Sequence, residues 1–133
     1  MGKLTQRLED ASRSGVYRVK RADEIMDAVR GTKLLLVKIP RADMASIAAA
    51  LDFPDWFGKN WDALEDCLTD LSWREAGGHV LVFEQAQPGD DLGVLIDVLR
   101  SSAEFWGGRA KPFFAVFIDP AAKLQLPSLF KEA

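Results

Sequence analysis

One cysteine and one histidine stand in a chain of 133 residues, and each scarcity removes a class of protein. A single thiol, Cys67, makes no internal disulfide. A single imidazole, His79, leaves no His/Cys ligand set for zinc. No apolar run approaches the roughly 20 residues that span a bilayer. The opening segment MGKLTQRLEDASRSG lacks the apolar core of a signal peptide. There is no Gly-rich phosphate loop, no Ser or Cys nucleophile motif, no internal repeat and no low-complexity linker. These absences describe a cytoplasmic protein with no metal, no cofactor, no membrane contact and no small-molecule substrate.

What is present is an ordinary apolar fraction of 48% with 28% charged residues, enough for one well-buried core and short for two. The net charge of −3 conceals an asymmetry. Residues 1–41 hold ten Lys/Arg against five Asp/Glu, and residues 42–133 hold seven against fifteen. An acidic body repels nucleic acid and steers toward basic partners. The plainer reading is that these charges are solvated faces.

Strand and helix signals alternate along the chain. Residues 1–14 are polar and are expected to fray or to form a loose lead-in helix. Val16–Val19 reads as a short strand, followed by a helix over Ala22–Val29 that stops at Gly31. Lys33–Ile39 is a continuous apolar strand closed by Pro40. Asp43 caps a helix to about Leu51, and Phe53-Pro54 breaks it. A helix over residues 60–72 precedes a strand at His79–Phe83. A helix from Asp90 to about Phe105, with Asp90 and Asp91 in its first turn, leads to a strand at Phe113–Ile118. The short tail from Lys123, KLQLPSLFKEA, is expected to pack on the surface. The pattern predicts an α/β protein: a small, mainly parallel sheet of about three to four strands packed by helices.

The densest chemistry lies in residues 53–73, FPDWFGKNWDALEDCLTDLSW. Asp62, Glu65 and Asp66 stand at i, i+3 and i+4, so a helix starting near Asn60 presents all three carboxylates on one face. Trp61, Leu64 and Leu68 form an apolar stripe with Cys67 beside it, which predicts a buried, structural thiol. Several residues carry two readings. Asp62 serves either a partner or the helix dipole. Trp56 belongs to the core or to a contact surface. Asn60 suits a helix cap or a ligand contact. Asp62 and Asp66, one turn apart, also have the spacing of a general acid/base pair or of two cation ligands, but no further acids are obviously gathered with them beyond Glu84, Asp90 and Asp91.

The run WFGKNWDALEDCLTDL resembles the signature of the barstar family of ribonuclease inhibitors. Trp56-Phe57-Gly58, Asn60, Asp62-Ala63-Leu64, Asp66-Cys67-Leu68 and Thr69 match in register without a gap. The resemblance extends more weakly from about Leu34 to Ile118. It implies division of the chain into an N-terminal extension, residues 1–31, packed on a barstar-like domain, residues 32–133.

The function implied is that of an inhibitor of a basic ribonuclease or nuclease toxin, an antitoxin or immunity-type protein that is monomeric when free and is not an enzyme. The resemblance implies that Asp66 takes the place of an RNA phosphate among the enzyme's cationic residues. Asp62 and Trp56 flank it, and Gly58 and Asn60 shape the loop. Phe57, Glu65 and Thr69 complete the expected contact set. An adaptor that binds another protein without inhibiting it is the alternative reading.

Two positions depart from the family pattern. Glu65 stands where the small inhibitor has an aromatic residue, and Lys59 where it has an acid. Its second inhibitory acid falls near Ser101, with Asp97 and Glu104 one turn to either side. The framework is kept and the contact surface altered, which points to a differently shaped nuclease as readily as to barnase.

Overall fold

The computed structural model describes residues 2–86 and 90–129. Four parallel strands, β1 (Gly15–Val19), β2 (Leu34–Ile39), β3 (Gly78–Phe83) and β4 (Phe113–Ile118), form one sheet in the order β1-β4-β3-β2. Helix α1 (Lys3–Leu8) and a 3-10 turn at Ala11–Arg13 precede β1, and helices α2 (Asp23–Val29), α3 (Met44–Ala50), α4 (Trp61–Leu68) and α5 (Asp90–Gly107) make the connections between strands.

The central strands β3 and β4 are buried almost without interruption because both faces are covered. Leu81, Phe83, Phe113, Ala115 and Phe117 point to the face shared with α3, α4 and α5. Val80, Val82, Phe114 and Val116 point to the opposite face, where Leu8 and Ile25 close the layer. The alternation is the two-residue period of a strand written twice in apolar residues. Entry into β3 is tight: a Cβ on Gly78 would lie 2.6 Å from Leu34 Cδ2 and 2.9 Å from Pro112 O, so only glycine fits between the two neighbouring strands.

Two segments differ from the sequence expectation. The first fourteen residues are not a loose lead-in. Leu4 and Leu8, one turn apart on α1, pack into the second face, and Thr5 Oγ1 donates to Ala28 O of α2 at 3.0 Å. The tail, as far as Leu129, does more than pack on the surface. Leu124, Leu126 and Leu129 are buried, and Arg18 N–H donates to Pro127 O at 2.9 Å while Leu129 N–H donates to Arg18 O at 3.0 Å. The tail thus covers the outer edge of β1, which would otherwise be an open strand edge. At the opposite edge, Leu34 N–H is taken by Thr32 Oγ1 at 3.1 Å, and exposed Lys38 and Pro40 discourage further pairing.

Helix α4 ends at Leu68, four residues before the predicted end. Thr69 caps it, and Leu71, in the left-handed region at φ 50°, donates its N–H to Cys67 O at 3.1 Å. Asp91 is an exposed first-turn residue of α5, whereas the side chain of Asp90 lies outside the described residues.

Candidate functional site

The segment between α3 and α4 is held from both ends and from beneath. Phe57 N–H donates to Pro54 O at 3.0 Å and closes a turn. The Phe57 ring meets Phe53 edge-on at 4.9 Å between centroids, and Phe53 meets Trp73 in the same way at 6.0 Å. Trp73, from the segment after α4, donates Nε1–H to Leu51 O at 2.9 Å. Beside it Arg74 Nη1 pairs with Asp52 Oδ2 at 2.6 Å. Trp56 stacks its edge on Trp73, 6.1 Å between centroids, yet keeps 59% of its surface in solvent. Phe57 is therefore an anchor of the loop, and Trp56 is a tethered ring open on one side.

Asn60 then starts α4. Its Oδ1 accepts from Ala63 N–H at 2.8 Å and its backbone O accepts from Leu64 N–H at 2.9 Å, the capping geometry that satisfies otherwise orphaned amides. With the start set there, helical spacing turns Leu64, Cys67 and Leu68 inward and leaves Asp62 and Asp66 exposed, with Glu65 half-buried at their side. Burial pushes the Cys67 thiol up, and the nearby charges of Asp66 and Asp70 add to it. The residue is a neutral packing group at neutral pH.

Asp62, Glu65 and Asp66 enter none of the ion pairs formed among the described residues. Thr69 is differently employed: its Oγ1 donates to Glu65 O at 2.8 Å and holds the last turn closed. Gly58 is exposed, with no left-handed backbone and no crowding, since an added Cβ would meet Ala63 Cβ and Asn60 Nδ2 at 3.5 Å. Lys59 is exposed and sits at φ 59°.

Sequence reasoning passed over Asp70, which is exposed and follows Asp66 by four residues; the same i, i+4 count that picked out Asp62 and Asp66 reaches it. On α5, Asp97, Ser101 and Glu104 are exposed, and Asp97 pairs with Arg100 at 3.7 Å. The ends of α4 and α5 are tied by Trp106 Nε1–H, which donates to Leu68 O at 2.8 Å.

Surface clefts of about 340–450 Å³ lie elsewhere, between α1 and Leu129, against β2 and α3, where the end of β1 meets α2, and along α5, and none of these is lined by α4 or the loop before it. Among the described residues no three His, Cys, Asp or Glu side chains converge as a metal ion would require, and no helix is long and apolar enough to cross a membrane. The candidate surface is a ridge of carboxylates beside an open indole, which offers a partner charge and contact area.

No curated protein and no solved structure matches the chain. The family described as Barstar (barnase inhibitor) matches residues 41–118, from the residue before α3's lead-in to the end of β4. That is more than half of the 133 residues and contains the whole of α4 and the loop before it, so the chain belongs to the barstar family.

Proposed function

We propose that this protein inhibits a basic ribonuclease or nuclease toxin by seating α4 and the 52–60 loop over the enzyme's active site. The observation that carries the reading is the outer face of α4, where Asp62, Glu65 and Asp66 stand beside the solvent-open Trp56 ring without an ion pair among the described residues. Carboxylates arranged this way are available to guanidinium and ammonium groups, which bind them through short charge-assisted bonds. Asp66 sits centrally and stands in for an RNA phosphate; Asp62 and Glu65 flank it, and Trp56 supplies apolar area. Phe57 and Asn60 hold the loop, Gly58 lets the partner approach the backbone, and Thr69 keeps the last turn of α4 closed. The mechanism is steric and electrostatic occlusion. The inhibitor acts as a monomer inside the cell that makes the nuclease.

Inhibition titrations of basic ribonucleases, and of any nuclease encoded beside this chain's gene, test the reading with wild type and Asp66→Ala side by side. Leaving the enzyme's cations buried without their carboxylate costs about 3–5 kcal/mol, so Asp66→Ala is expected to weaken inhibition by at least about 100-fold. Wild-type inhibition should also slow in onset as salt rises, because steering depends on unscreened charge. Tight binding without inhibition, indifferent to Asp66, would overturn the reading in favour of a non-inhibitory adaptor.

A further inference from the structure

Resting on that reading, we propose that Lys59 is a specificity-determining contact: its ammonium meets a carboxylate that the partner carries within an otherwise cationic face.

The residue is unfavourable where it stands. Lys59 has φ 59°, a conformation that costs a side-chain-bearing residue and suits glycine. Among the described residues, four other non-glycine residues share the left-handed region. Asp52, Leu71 and Ala110 follow α3, α4 and α5, and Ala122 lies in the turn after β4; each donates its N–H back to close a helix end or turn, to Ala49 O, Cys67 O, Gly107 O and Asp119 O. Lys59 comes before a helix and closes none. Gly58, the neighbour suited to that conformation, has no left-handed backbone and has room for a Cβ. Glycine and the strained position are thus one residue out of step. A cation beside the first turn of α4 also opposes the helix dipole.

Strain retained at an exposed loop marks a place where the structure serves something other than its own stability. In sequence Lys59 lies between Trp56 and Asp62, both part of the proposed contact surface, and it is exposed and in none of the ion pairs among the described residues. It is also the one Lys or Arg in residues 52–73. A uniformly cationic partner face would be repelled at this point, whereas a face with one carboxylate there gains a bond. A single reversed charge in an acidic surface therefore selects among basic nucleases.

The test measures melting temperature and inhibition for wild type, Lys59→Gly, Lys59→Gln and Lys59→Glu, with Asp66→Ala as reference. The probes are a panel of basic ribonucleases and the nuclease encoded beside this chain's gene. Lys59→Gly should melt about 3 °C higher and inhibit its nuclease tenfold or more weakly. Lys59→Gln should lose about as much, and Lys59→Glu should lose more and regain inhibition against a nuclease variant whose facing carboxylate is changed to lysine. Inhibition by Lys59→Gly as strong as wild type, or no rise in melting temperature, overturns the proposal. Loss of inhibition in Asp66→Ala with none in the Lys59 variants overturns it alone; indifference to both, or inhibition of no probe, overturns the inhibitor reading with it.

Discussion

The indole N–H of Trp73 reaches back 22 residues to the carbonyl of Leu51, 2.9 Å away, so the segment after α4 fastens the start of the loop that precedes α4. The Phe53 and Trp56 rings rest against the same indole. One aromatic side chain therefore holds the first half of the proposed contact loop, from Leu51 to Trp56, in place before any partner arrives. Trp73→Phe keeps a ring for the stack and deletes the donor. We expect a stability loss of about 1 kcal/mol, read as a lower urea midpoint, together with faster release of the nuclease, because a loop that is no longer preorganised must be ordered on binding. An unchanged dissociation rate would show that the loop is held without Trp73.

Cys67 is inaccessible and its thiol is held above the ordinary range by burial. The native protein should resist a thiol-specific disulfide reagent at pH 8 and react fully once denatured. Cys67→Ala removes a buried sulfur and should cost about 1–2 kcal/mol, leaving inhibition at saturating concentration intact. Fast labelling of the native protein would contradict the packed position.

Much of this architecture is legible locally. The largely apolar runs at Leu34–Ile39, Gly78–Phe83 and Phe113–Ile118 are strands, and the last two, central in the sheet, are buried on both faces. Asn60 and the spacing of Leu64 and Leu68 are enough to orient α4, and with it Asp62 and Asp66. The parts that escaped depend on distant chain. Two leucines in the six residues of α1 carry too little periodicity to announce a buried helix. The seating of Leu124, Leu126 and Leu129 requires β1, more than a hundred residues earlier in the chain. The left-handed backbone falls on Lys59 with a glycine next door, which residue preference alone assigns the other way.

His79 gives the fold a pH dependence whose sign is fixed by its burial. Desolvation depresses the imidazole below its ordinary value of 6.5, against a weaker opposing effect of the hydrogen bond with Arg74 O, and the charges of Lys111 and Arg74 depress it further. Below 6.5 the unfolded chain takes up a proton that the native protein refuses, so this contribution to stability is complete above pH 6.5 and is lost as pH falls toward the depressed value. Denaturant unfolding between pH 7.5 and 5.5 should show wild type losing stability with acid faster than His79→Gln, in which an amide N–H can still meet the Arg74 carbonyl. Equal slopes would place the acid sensitivity elsewhere.

The first 31 residues offer the most severe test of how the sheet is stabilised. Deleting residues 2–31 removes α1, β1 and α2, and with them Leu8, Val19 and Ile25, all buried against Val80, Val82, Phe114 and Val116. Burying each such side chain stabilises a fold by about 1.5–3 kcal/mol, so the three together contribute roughly 5–9 kcal/mol. Native domains are stable by only about 5–15 kcal/mol in all. Residues 32–133 alone should therefore bind a hydrophobic dye and lose a cooperative melt, although they contain every residue of the proposed contact surface. If that fragment melts cooperatively and inhibits the nuclease as the full chain does, the second face of the sheet is dispensable and residues 1–31 serve another purpose.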